Sequence, residues 1–455
     1  MKSHTVFFDH AFLPEGWRRN VRITVSGGRI ASVETDAAPA GAARVAGIAI
    51  PGVPNVHCHS FQRAMAGLAE RRGPANDSFW TWREIMYRFL DRLTPDDVEA
   101  ITAFAYMEML ERGFTAVGEF HYLHHAPDGS PYDDLGEMAV RIVGGAKEAG
   151  IGLTMLPSFY RYGSFGAAPA NPGQRRFLNS PDRFNALVAR IREIAAADPS
   201  INVGIAPHSL RAVTPEDLRV VVEASTQGPI HMHAAEQVKE VEDCVAWSGK
   251  RPVAWLLDEM QADRRWCLIH TTHMTDDETV RLAQAGAVAG LCPLTEASLG
   301  DGIFNAATYL PAGGRFGIGT DSNIDIDAAL ELRQLEYSQR LKHCGRNLIA
   351  TAEGESNGER LFTEALRGGA QALDRPMGGL EAGKRADIVV LDDTHPDFAS
   401  AGVGRWLDAW IFVAGRTAVQ SVMAGGEWVV KEGQHVRRES IRANYNAALK
   451  GLAHG

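Results

Sequence analysis

The sequence predicts a (β/α)8 barrel of the TIM type, joined to a small β-sandwich domain built from both chain ends. Three observations carry this expectation. Eight short apolar runs alternate with amphipathic stretches through the middle of the chain. Both ends have another texture, short β-like pieces punctuated by glycine. Histidines and carboxylates recur where the apolar runs stop. The division this suggests is 1–50 with 375–455 for the sandwich, and 51–374 for the barrel.

At the N-terminal end, VRITVSGGRIASVET alternates apolar and polar residues about Gly27-Gly28, a hairpin signal. The apolar runs follow in order: IAIPGVPNVH, FTAVGEF, GLTMLPSF, NVGIAP, PIHMHA, WCLIH, AVAGLCP and FGIGTD. Helical stretches separate most of them. One spans 95–111, opened by the cap signal Thr94-Pro95-Asp96 and closed by Gly113. Others lie near 135–149, 181–197, 215–226, 275–286 and 326–342. ADIVVLDD, FVAGRTAVQSVMAG and GEWVVKEGQHV then read as β-strands again. An open doubly wound sheet would show the same alternation. Polar residues decide for the barrel, because barrel enzymes gather their catalytic groups at the C-terminal ends of the strands.

At 455 residues the chain exceeds one small core, and 45% apolar with 22% charged residues places it among globular enzymes. A net charge of -10 argues against a general nucleic-acid binder, while leaving room for a local basic pocket. The five cysteines include no C-x-x-C pair, which suits a reducing cytosol better than a disulfide framework. The N-terminal stretch has no signal-like apolar core, and no apolar run approaches ~18 residues. The expectation is a cytoplasmic protein with no membrane or nucleic-acid partner.

The strand ends carry His57 and His59, His208, His233, His270 and Asp321. Residues two apart on a strand share a face, so His57 and His59 can address one ion while Cys58 points away. Alone, such a pair is more often two packed histidines; the preceding PGVPN and the polar loop after it favour the metal reading. His233 is followed three residues later by Glu236, which can stand beside a metal without binding it and move protons. Its bland reading is a helix N-terminal charge. Asp321 in GIGTDSN can complete a three-histidine, one-carboxylate set, although Asp-Ser-Asn is also turn chemistry. His270 can hydrogen-bond the water; His231 reads as structural, and His121, His124 and His125 as loop histidines. The fourth strand ends in APHS, with no lysine to bridge two metals, so one divalent ion is expected. Zinc suits these ligands first, with Fe2+ or Mn2+ as alternatives. Such an ion lowers the pKa of bound water to roughly 7.

Taken in this order, the strand-end motifs resemble the amidohydrolase superfamily over nearly the whole chain. GGLEAGKRADIVVLD (378–392) resembles the return of that superfamily to its small β-domain. His-x-x-Glu beside a single metal resembles its deaminase branch. Within that branch, FQRAMAG directly after the H-x-H, SFWTWRE, APHSLRAV (206–213) and HMHAAEQ (231–237) resemble the N-formimino-L-glutamate deiminases of histidine degradation. The resemblance implies hydrolysis of a linear amidine to a formyl product and ammonia, and a homodimer. A small anionic substrate with two carboxylates calls for guanidinium forks and amide donors. Arg211, beside His208, is the candidate for one carboxylate; Gln62, Arg83 and Tyr122 are the candidates for the other contacts. Metal-activated water held by Asp321 and His270 would attack, with Glu236 as proton carrier. A deaminase of a nucleobase-like heterocycle is the nearest rival. A barrel that only binds is the remote one, because such chains lack ligands that this one retains.

Overall fold

The computed structural model describes residues 3–73 and 77–454. At its centre lie strands β1 (Val53–Cys58), β2 (Phe114–His121), β3 (Gly152–Phe159) and β4, in two pieces, Ile201–Val203 and Ala206–Pro207. After them come β5 (Ile230–Ala234), β6 (Trp266–His270), β7 (Val288–Leu291) and β8 (Arg315–Ile318). All pair in parallel, and β8 returns to β1 at Ile318 and Asn55. Between β4 and β5, His231 N donates to Ile205 O at 2.9 Å and His233 N to His208 O at 3.0 Å. Those bonds close the ring. An open doubly wound sheet would leave these two strands as edges, so the alternative that periodicity left standing is gone.

Every residue of β1, β2, β3, β5, β6 and β7 is buried. Helices cover parallel strands on one face and side chains fill the barrel on the other, which is why these segments read as continuous apolar runs. Packing is tight enough to need glycine. A Cβ at Gly368, in helix Asn357–Ala372, would fall 1.9 Å from Phe316 O on β8.

The stretch FWTWRE, which the sequence reading did not include among its helices, opens helix α1 (Phe79–Leu90). Its aromatic and β-branched residues are indifferent helix formers. Burial of Phe79, Met86, Tyr87 and Leu90 and the Ser78 cap supply what propensity does not. Helix α2 (Pro95–Glu111) begins where the cap signal put it: Asp97 N donates to Thr94 Oγ1, and Thr94 N donates back to Asp97 Oδ2 at 3.0 Å.

Segments within 4–51 and 388–435 pair into one eight-stranded sheet, joined where Ala43–Pro51 runs antiparallel to Ile388–Leu391. Its distant turns meet, since a Cβ at Gly426 would lie 3.0 Å from Val25 Cγ1. The sheet thus wraps a second core that includes Phe8, Ile23, Ile388 and Met423. FVAGRTA is not β, contrary to the sequence reading. Trp410–Ala414 and Gly415–Ala418 are helical turns, and the strand starts at Val419. The buried Trp410 ring and the Arg333 bond to Ile411 O at 2.8 Å hold this piece on helix Ala328–His343. The last helix, Arg438–His454, lies on α2, where Tyr445 stacks on Phe104 at 3.9 Å. Among the described residues, no helix is long and apolar enough to cross a membrane.

Candidate active site

The C-terminal strand ends bring the expected donors together. His57 Nε2 lies 3.2 Å from His233 Nε2, and Asp321 Oδ1 lies 3.3 Å from His57 Nε2 and 3.4 Å from His59 Nε2. His59 Nδ1 bonds Phe120 O at 2.8 Å, and His233 Nδ1 bonds His208 O at 3.0 Å. A ring nitrogen facing a carbonyl must carry the proton, which leaves the Nε2 lone pairs of both rings facing inward. Burial pushes His57 down to about 3 and lowers His59 and His233, so the imidazoles are neutral. Burial works to raise Asp321, but the imidazoles of His57, His59 and His270 hold it below the ordinary carboxylate range. This set of closely spaced nitrogen and carboxylate donors suits a divalent metal.

Backbone geometry aims these side chains. Ala235, His270, Thr271, Asp321 and Asn323 all have positive φ. Non-glycine residues rarely adopt it, and here it turns the chain sharply at the ends of β5, β6 and β8.

Glu236 and His270 stand beside the donor group. His270 Nε2 is 3.7 Å from Glu236 Oε1 and 3.8 Å from Asp321 Oδ2. Burial pushes Glu236 up to about 7, against the opposing pull of His270 and Arg211. Burial would lower His270, yet Glu236, Glu296 and Asp321 carry it up to about 10. An acid poised near neutrality beside a group of electron-pair donors can carry protons in both directions.

Apart from the fully buried His57, every site residue expected from sequence lines one cavity. Gln62 Nε2 donates to Tyr122 Oη at 2.8 Å. Arg83 and Arg211 both lie over the Trp80 ring, at 4.7 and 5.7 Å. Their Nε atoms are buried and have no hydrogen-bond partner among the described residues. His208 lines the same wall, its Nδ1 3.1 Å from Ser209 Oγ. His231 stands apart, with Nε2 bonded to Ala372 O at 2.7 Å. His121 belongs to the end of β2, not to a loop.

Some supporting groups were not read from the sequence. Glu296 Oε1 holds His270 Nδ1 at 3.3 Å, and Glu240 Oε2 takes the Glu236 N–H at 3.0 Å. Glu119 accepts from both N and Oγ of Ser60 at 2.9 Å, pinning the chain just after the H-x-H pair; burial pushes it up to about 7. Tyr87 and Tyr160 complete the cavity wall. A carboxylate on an otherwise apolar strand, as in FTAVGEF, was the one available signal for Glu119.

The family model described as "Amidohydrolase family" matches residues 48–429. The chain belongs to the amidohydrolase family. A second model, "Formimidoylglutamate deiminase HutF, N-terminal domain", matches residues 3–46. The chain is 50% identical over 442 residues to a formimidoylglutamate deiminase of Pseudomonas aeruginosa, spanning 96% of this chain and 97% of that one. It is 26% identical over 391 residues to a 5-methylthioadenosine/S-adenosylhomocysteine deaminase of Natronomonas pharaonis, spanning 85% and 82%. The crystal structure of an amidohydrolase from Brucella melitensis superposes with a TM-score of 0.94 at 50% identity, over 99% of this chain and 100% of that one. Members of this family are metal-dependent hydrolases, in keeping with the donor group at the strand ends of this amidohydrolase.

Proposed function

We propose that the chain hydrolyses N-formimino-L-glutamate to N-formyl-L-glutamate and ammonia. The observation that carries this reading is that Arg83 and Arg211, each with a buried Nε that has no hydrogen-bond partner among the described residues, line the same cavity as Glu236. A substrate with two carboxylates satisfies both; an uncharged heterocycle would leave buried donors unpaired. The 50% identity to a formimidoylglutamate deiminase supports the same substrate.

His57, His59, His233 and Asp321 would hold one divalent ion, with zinc the ion this donor set suits first, ahead of Fe2+ or Mn2+. When bound, it supplies water acidified into the neutral range. Asp321, whose Oδ2 lies 3.8 Å from His270 Nε2, takes a proton from the attacking water. The water oxygen bonds to the formimino carbon while Glu236 gives a proton to the imino nitrogen. The carbon–nitrogen bond then breaks: Glu236 takes the hydroxyl proton of the tetrahedral carbon and passes it to the nitrogen so that ammonia leaves, and the proton held on Asp321 restores Glu236. Arg211 with His208 binds one carboxylate; Arg83, Gln62 and Tyr122 bind the other. The reading extends to a cytoplasmic homodimer serving histidine degradation, with the dimer open to a sedimentation measurement.

The test is ammonia release by zinc-loaded protein from N-formimino-L-glutamate, set beside guanine, cytosine and adenosine. Release from the first alone is expected. Release only from a heterocycle would keep the metal chemistry and overturn the substrate. Failure to bind metal would favour a barrel that only binds.

A further inference from the structure

Besides the three histidines, a second set of donors converges at the strand ends. A ring nitrogen of His270, Cys292 Sγ and a carboxylate oxygen of Asp321 all lie within 4.8 Å of one another, and all three residues are buried. Cys292 follows β7 directly and has no part in the reaction proposed above. The two oxygens of Asp321 face different neighbours. Oδ1 lies 3.3 and 3.4 Å from His57 and His59, whereas Oδ2 lies 3.8 Å from His270. One carboxylate can therefore serve two ions, one through each oxygen.

We propose that His270, Cys292 and Asp321 form a second, inhibitory site for a thiophilic divalent ion, Zn2+ in excess or Cd2+, bridged to the first ion by Asp321. This rests on the metal site read above. The thiol proton of Cys292 and any proton on the coordinating His270 nitrogen leave to solvent as metal–sulfur and metal–nitrogen bonds form, with no change of oxidation state. A coordinated thiol is deprotonated outright, and thiolate selects zinc and cadmium over manganese and magnesium. Glu296 already fixes the His270 ring through Nδ1. An ion in this site occupies the two groups that handle the proton of the attacking water, so turnover stops while the first ion stays bound.

Protein loaded with one equivalent of zinc is titrated with Cd2+ or further Zn2+, following turnover, bound metal and ultraviolet absorption. The expected result is uptake of a second equivalent that suppresses turnover, with a thiolate-to-cadmium absorption band. Cys292→Ala and Cys292→Ser keep the basal turnover, lose the band, and require ~10-fold or more added metal for the same inhibition. The serine variant preserves the packing that alanine opens, so agreement between the two separates ligation from folding. First-equivalent uptake without a second, or inhibition unchanged in both variants, overturns the second site and leaves the first standing. Uptake of no ion overturns both.

Discussion

Arg211 Nη2 lies 3.9 Å from Glu236 Oε2, so the residue proposed to hold a substrate carboxylate also sets the field on the residue proposed to carry protons. Both side chains are buried, and the cation opposes the rise that burial imposes on Glu236. Arg211→Met is expected to raise KM and lower kcat together. A lost charged hydrogen bond is worth ~1.5–3 kcal/mol, or roughly 10–100-fold in kcat/KM. The variant also moves the pKa of Glu236 further up. Unchanged kinetics would remove Arg211 from the site.

Glu236→Gln keeps the shape of the side chain and removes its titratable proton. Turnover should fall by ~100-fold or more, while metal content, measured by elemental analysis, stays as in the parent protein. Activity near the parent value would refute the proton role.

Trp80 lies under both Arg83 and Arg211. Trp80→Ala removes two cation–π contacts worth ~0.5–2 kcal/mol each and frees both guanidiniums to wander. Steady-state kinetics should show KM rising ~10-fold or more, with a smaller change in kcat. A change in kcat alone would count against a binding role for this wall.

Chelation should abolish turnover and lower the melting temperature, because it leaves the His57 and His233 nitrogens 3.2 Å apart without a cation between them. Adding back one equivalent of zinc should restore both. His59→Asn should prevent that recovery; full recovery in this variant would exclude His59 as a ligand.

His231 gives a pH dependence of stability. Burial lowers its pKa to about 4 from 6.5, and Nε2 bonds Ala372 O. The unfolded chain therefore binds the proton more readily, so this contribution is present above pH 6.5 and is lost as pH falls toward 4. At pH 5 the loss is about 2 kcal/mol. Urea midpoints at pH 7 and pH 5 should differ less in His231→Gln, which retains a donor for Ala372. An equal difference in both proteins would show that His231 is not the group responsible.

The donors of the proposed metal site were legible in sequence because each sits at a strand end, where a short apolar run stops and polar chemistry begins. His57 and His59 share a face through the two-residue period of a strand, and Glu236 follows His233 at a local spacing. Arg83 and Arg211 were legible as candidates through neighbouring motifs. Their meeting over Trp80 was not, because α1 has aromatic and β-branched residues that conceal its helix. Glu119, Glu240 and Glu296 were passed over for a related reason. A buried carboxylate is recognisable only by the donors that converge on it; for Glu119 and Glu296 those come from elsewhere in the chain, and for Glu240 the donor is the N–H of Glu236, itself exposed to it only by the turn after β5.

Sequence by itself determined the alternation of strands and helices, the identity of the electron-pair donors and the side of the barrel they occupy. These depend on periodicity and local spacing, which act within a few residues. Tertiary structure alone decided that the sheet closes, through Ile205 and His208, flanking the second piece of β4, meeting His231 and His233 on β5. It alone also turned the two oxygens of Asp321 toward different neighbours. Both outcomes require groups far apart in the chain to meet at hydrogen-bonding or near-contact distance, and no local pattern encodes such a distance.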